Sequence, residues 1–217
     1  MNTISIQFYD QKHCINPDTI RNNTFQHQNV PTIFQHQVHG NQGLAINQEN
    51  VEHYKRCLMY DSDYLITNLS HMGIGVLTAD CLPIALADKK HKAIGIVHAG
   101  WRGTIGKIVI NAINHMNKLY GTQPENLKVY FGPCALPCCY EVDENFIQNL
   151  PQWAKSALQN SCFDLISSNE QLLKNQGILT DQIDKSACQC TICNHSFCSH
   201  RKTPTAKTRQ MSIIWLN

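Results

Sequence analysis

No stretch of this 217-residue chain is apolar for long. Its hydrophobic runs fall well short of the ~20 residues that a membrane helix needs. The first residues also lack the charged segment and apolar core of a signal peptide, so the expectation is a cytoplasmic protein with no membrane partner. Charge of one sign is missing too: the net charge is +2 with His neutral. Lys and Arg are scattered except between His200 and Arg209, which argues against broad nucleic-acid binding and leaves that basic stretch as a solvated loop able to meet a phosphate. No repeat or linker divides the chain. Its length suffices for one well-buried core, so residues 1–217 are read as a single domain. There is no His-x-His pair, which argues against a trinuclear copper cluster.

What the chain has in excess is cysteine. Eleven is an odd number, and in a mid-sized chain without a signal it points to reduced thiols or metal, with few or no structural disulfides. The most informative stretch is Thr78 to Thr104, TADCLPIALADKKHKAIGIVHAGWRGT. Two apolar runs, Leu82 to Ala87 and Ala93 to Val97, flank a polar turn at Asp88 to Lys92 and predict a β-hairpin. Cys81 opens its first strand and His98 closes its second, so pairing brings thiol and imidazole together. Such a pair serves either as metal ligands or as an activated nucleophile with its base.

Further strands are expected around Ile4, Ile6 and Phe8, over Thr32 to Gln35 leading into His39, over Asp61 to Asn68, over Leu127 to Phe131, and over Met211 to Leu216. Thr67 and Asn68, at one strand end, suit either ligand binding or a bend. Apolar residues from Ile105 to Leu119 recur at helical spacing and stop at Gly121. Gly103 and Thr104 are read as the start of that helix, with Thr104 as N-cap. Arg102 and the nearby amides then form a candidate anion site, against the plainer reading of Arg102 as a salt-bridge partner and Trp101 as packing. Asp143 to Leu150 and Asp164 to Asn175 read as helices. His36, His53, His71, His91 and His115 are taken as structural, the usual fate of an isolated His. Cys134, Cys138 and Cys139 are read as small buried groups, because adjacent thiols do not readily face one ion. Cys188, Cys190, Cys193, His195, Cys198 and His200 hold open a second metal site. Irregular alternation of strands and helices predicts an α+β fold, with helices outside the sheets.

The motifs QVHG at Gln37 to Gly40, TADCLPI at Thr78 to Ile84, VHAGWRGT at Val97 to Thr104 and GPCALPCCYEV at Gly132 to Val142 closely resemble the YfiH family. That family is also called the polyphenol oxidase, laccase-domain or purine nucleoside phosphorylase family. The likeness runs from about Pro31 onward. Before it, the family's Gly-rich turn and Asn-Arg pair have only a loose counterpart near Arg21-Asn22, and Leu136 stands where the family has a small residue. The resemblance implies a layered mixed and antiparallel β core flanked by helices. It also implies that His39, Cys81 and His98 bind one Zn²⁺ with a fourth position left for water or substrate, the pattern of catalytic zinc. Copper is a possible substitute, since it binds such ligands more tightly. Asp80 would orient a ligand or handle a proton.

The activities implied are phosphorolysis of adenosine, inosine, guanosine and methylthioadenosine, and deamination of adenosine. Purine nucleoside and phosphate are then the partners, with Arg102, Asn68, Gly103 and Thr104 as substrate contacts, and monomer and homodimer both remain open. The alternatives are a metal-free Cys-His amidohydrolase acting on a peptidoglycan precursor and a copper-binding polyphenol oxidoreductase.

Overall fold

The computed structural model describes residues 3–20, 25–55 and 60–217; the Arg21-Asn22 region lies outside them. The strands are β1 (Ile4–Phe8), β2 (Phe25–His27), β3 (Val30–Ile33), β4 (Gly43–Ile46), β5 (Tyr64–Thr67), β6 (Met72–Thr78), β7 (Leu82–Asp88), β8 (Ala93–Ala99), β9 (Leu127–Phe131), β10 (Leu158–Gln159), β11 (Cys162–Phe163), β12 (Ile183–Asp184) and β13 (Gln210–Leu216). The α-helices are α1 (Val51–Tyr54), α2 (Trp101–Ile105), α3 (Ile108–Tyr120), α4 (Glu144–Asn149) and α5 (Leu165–Asn175). One sheet runs β1-β13-β6-β3-β2 and the other β12-β9-β7-β8-β5-β4, while β10 and β11 form a separate ribbon. Both large sheets are mixed: β3–β6, β4–β5 and β9–β12 are parallel pairs, and the remaining pairs are antiparallel. The expected α+β architecture is therefore present.

The near-continuous apolar runs of β7 and β8 arise because both faces of the six-stranded sheet are covered. Leu82, Ile84 and Leu86 face the core under α3 and α5, while Ala85 and Ala87 join Ile33, Ile74, Val76 and Ile214 between the two sheets. In β8, Val97 and Ala99 take the helix side, and Ile94 and Ile96 the inter-sheet side. The turn between these strands is held by Asp88, whose carboxylate accepts the Lys90 and His91 N–H groups and pairs with His91 Nδ1 at 2.7 Å.

The helix expected to start near Gly103 is two helices. Gly100 caps α2, and Lys107 adopts a left-handed conformation (φ 57°) that breaks the chain before α3. Thr104 is therefore not an N-cap. It is buried inside α2, where its hydroxyl accepts the Asn169 amide at 2.9 Å. The stop at Gly121 is as expected: its φ is 73° and its N–H bonds the Asn117 carbonyl. Asp143 and Asp164 cap α4 and α5 by accepting the Phe146 and Ser167 N–H groups. A disulfide joins Cys14 to Cys198, one covalent link in a chain expected to have few or none.

Candidate functional site

The hairpin register pairs Leu82 with Ala99 and Pro83 with His98. One step further, Cys81 stands across from Gly100. Because side chains alternate, Cys81 and His98 share the face turned toward the other sheet and meet diagonally. Gly100 makes room for this: a Cβ there would lie 2.9 Å from Cys81 Sγ. His39 arrives from the loop after β3 in a left-handed conformation (φ 61°), a region His enters more readily than most residues. Its ring stands edge-on to that of His98, with centroids 4.8 Å apart. Ligand atoms of His39, Cys81 and His98 all lie within 4.8 Å of one another. The three distant side chains thus converge.

Asp63 holds this arrangement, and the sequence reading missed it. Its Oδ1 accepts His98 Nδ1–H at 2.7 Å and the His39 N–H at 3.0 Å, while Oδ2 accepts the Gly40 N–H at 2.6 Å. Fully buried, it holds Nδ1 of the His98 ring and so turns Nε2 toward Cys81. The signal was an aspartate directly before an apolar strand. Asn68, the residue expected to contact substrate, lies at the far end of that strand: β5 runs antiparallel to β8, so Tyr64 pairs with Val97 and Thr67 with Ile94. The start of β5, not its end, borders His98.

Burial by itself drives the Cys81 thiol up and the His98 imidazole down. Their mutual attraction overturns both: with further hydrogen bonds from His39 and His98, the thiol is brought down to about 6. Attraction to Cys81 and hydrogen bonds to Asp63 and Cys81 take the imidazole up to about 9. The metal-free pair is thus thiolate and imidazolium. One soft thiolate and two imidazoles, one of them backed by a carboxylate, form a donor set suited to Zn²⁺.

The trio opens on a cleft of about 470 Å³ lined by residues that include Gln35, His36, Gln37, Tyr140, Arg201 and Arg209. Asp80, in a left-handed conformation (φ 86°), accepts the Thr191 hydroxyl on Oδ1 and the Arg201 N–H on Oδ2, both at 2.7 Å. It therefore holds the carboxy-terminal loop against the cleft. Part of the stretch read as a solvated basic loop belongs to the site: His200, Arg201 and Arg209 line the cleft, and the Arg201 guanidinium lies 4.9 Å over the Tyr140 ring. His36, taken as structural, lines it too and pairs with Asp61. Asn68, Arg102, Gly103 and Thr104 are not among the lining residues. The Arg102 guanidinium instead covers the Trp101 ring at 4.4 Å.

A second convergence corrects the reading of the remaining cysteines. Sulfurs of Cys138, Cys139, Cys190 and Cys193 cluster within 4.8 Å of one another. Adjacent thiols can share a centre because the Cys139 and Tyr140 N–H groups both bond the Leu136 carbonyl, coiling the chain so that successive side chains diverge less than in a strand. Cys188 lies near the Phe131 carbonyl and Cys198 is bonded to Cys14, so neither belongs to this cluster.

Residues 4–217 match a family model described as multi-copper polyphenol oxidoreductase laccase. A purine nucleoside phosphorylase of Homo sapiens is 33% identical over 64% of this chain and 34% of its own length. An adenosine deaminase from an unknown prokaryotic organism is 32% identical over 70% of this chain and 62% of its own. The chain thus spans about a third of the human relative and about three fifths of the deaminase. The crystal structure of the Bacillus licheniformis hypothetical protein YfiH superposes with a TM-score of 0.77 at 30% identity, covering 86% of this chain and 74% of that one. With the match running over nearly all of its length, the chain belongs to the YfiH family, the family of the multi-copper polyphenol oxidoreductase laccase model.

Proposed function

We propose that the protein is a zinc-dependent purine nucleoside enzyme that catalyses phosphorolysis of adenosine, inosine, guanosine and methylthioadenosine and deaminates adenosine. The observation that carries this is the convergence of His39, Cys81 and His98 on an open cleft. Purine nucleoside phosphorylase and adenosine deaminase relatives at about a third identity support it. Zinc held there would polarise a substrate atom and activate water.

The chain's own residues do the rest. Asp63 orients His98, and Asp80 secures the loop carrying Arg201. The cleft is of a size that suits a small ligand, and the Tyr140 ring offers an apolar surface. In phosphorolysis a phosphate oxygen bonds the sugar carbon as the bond to the base breaks, so the anion must be held beside the sugar. Arg201 and Arg209 bring positive charge to the cleft wall and suit that task better than Arg102, which is not among the lining residues. Zinc-loaded protein should convert adenosine to inosine and, with phosphate, release base from nucleosides. Cys81→Ala should abolish both, and an inert, zinc-loaded wild type would refute the assignment.

A second reading has one observation in its favour. Asp63, His98 and the lowered Cys81 thiol form the acid–base–nucleophile order of a cysteine hydrolase, which fits amide hydrolysis of a peptidoglycan precursor. A thiol reagent separates the two. Protection of Cys81 that a chelator lifts supports the metal enzyme; rapid labelling of the protein as isolated supports the nucleophile. A copper-dependent oxidoreductase would require copper at the same three ligands, and phenol turnover by copper-loaded protein tests it.

A further inference from the structure

We propose that Cys138, Cys139, Cys190 and Cys193 bind a second, structural zinc ion. Four cysteine sulfurs leave no position for substrate, and such a closed sphere is characteristic of structural zinc. Sulfurs bound tetrahedrally at about 2.3 Å from one ion stand about 3.8 Å from each other. Here Cys138 Sγ and Cys193 Sγ are 4.0 Å apart, and all four sulfurs fall within 4.8 Å. The ion would draw them together by less than a bond length.

The backbone around Cys190 directs donors at its sulfur. N–H groups of Cys193, Leu136 and Ile192 point at Cys190, so the Cys190-x-x-Cys193 turn supplies donors to sulfur that offset part of its negative charge. Four thiolates around a divalent ion leave a net charge of −2, and such donors stabilise it.

The location gives the ion a purpose. Residues 134 and 190 form an isolated parallel bridge, with Cys134 N–H bonded to the Gln189 carbonyl and Thr191 N–H to the Cys134 carbonyl. Thr191 donates to Asp80, and the Ala135 N–H bonds the Asp80 carbonyl. A metal joining the 138–139 turn to the 190–193 turn therefore clamps the two segments that hold Asp80, the residue next to Cys81. This ion is separate from the one assigned to His39, Cys81 and His98 and stands whether or not the purine reading does.

Metal analysis of purified protein tests it. Wild type should carry two zinc ions per chain, and His39→Ala/Cys81→Ser should carry one. Because Cys190 is buried and its loss threatens folding, the paired test uses the exposed sites: Cys138→Ser/Cys193→Ser should retain only the other zinc. Cobalt loaded into His39→Ala/Cys81→Ser should show the intense thiolate-to-cobalt absorption of a four-sulfur site, and the four thiols should resist a thiol reagent until a chelator is added. A metal-free His39→Ala/Cys81→Ser protein that is folded, absence of that absorption, or a disulfide among the four cysteines would overturn the proposal.

Discussion

Asp63 is the residue on which the cleft's geometry turns. Three N–H groups end on its carboxylate, and an amide in its place must turn an NH₂ toward at least one of them. Asp63→Asn should therefore cost about 1–3 kcal/mol of stability through a buried unsatisfied donor. Zinc affinity should fall about 10–100-fold because His98 loses its orienting partner. Chemical denaturation and competition with a chromophoric chelator measure the two effects.

The second residue-scale prediction concerns Cys81 in metal-free protein. Its thiol value is lowered from 9.0 to about 6. The thiolate, the reactive form, is then fully present above the ordinary thiol value and lost only as pH falls through about 6. Alkylation by iodoacetamide should rise with a midpoint near 6, and a midpoint near 9 would show that no such pair exists. What the sequence revealed at this scale was the Cys81–His98 pair, because a hairpin with Cys and His at its outer ends brings the two together; His39 was marked only by its place in the QVHG motif. Asp63 was hidden because its importance lies in strand direction, which neither periodicity nor composition encodes.

Among the elements, the hairpin β7–β8 and the helix α3 were legible because their apolar spacing is long and uninterrupted. The α2–α3 break was not. Nothing in the spacing marks Lys107 as left-handed, and the Thr104 N–H is consumed within α2, where it bonds the Gly100 carbonyl. The break yields a prediction. A left-handed non-Gly residue costs about 1–2 kcal/mol and glycine returns about 0.5–1 kcal/mol of entropy to the unfolded chain. Lys107 is exposed, so Lys107→Gly should be stabilising by roughly 0.5 kcal/mol, raising Tm by about 1–2 °C. Lys107→Ile should lower it. Thermal denaturation of the pair decides, and equal Tm values would show that the φ at this position carries no strain.

The other element misread was the carboxy-terminal loop. Its basic side chains resemble a solvated tail when only charge is counted. Asp80 draws the loop in through two hydrogen bonds, and Arg209 pairs with Ile15 by two backbone bonds of 2.8 and 2.9 Å. The partners lie more than 100 residues away in sequence, beyond the reach of local patterns.

At the scale of the whole molecule, two mixed sheets and a helical layer place the ends of β3, β5, β7 and β8 around one opening. The family resemblance anticipated this layering, and the apolar runs explain it: β7 and β8 are buried on both faces and require a cover on each. Loops from distant parts of the chain thus depend on the sheets for their alignment, and an ion that binds only the folded arrangement must stabilise it. At a free zinc concentration about 100 times the dissociation constant, linkage supplies about 2.7 kcal/mol. For a chain of this size that corresponds to a Tm about 5–10 °C higher with zinc than with excess chelator. A Tm indifferent to chelator would mean that the folded protein holds no zinc.

The most direct measurement is anomalous diffraction at the zinc edge from a crystal grown with a purine nucleoside. The account predicts a zinc peak within bonding distance of His39, Cys81 and His98, with the nucleoside lying in the cleft beside Tyr140 and Arg201. An absence of zinc at those three side chains, or a nucleoside bound elsewhere while the cleft stays free of it, would contradict the account.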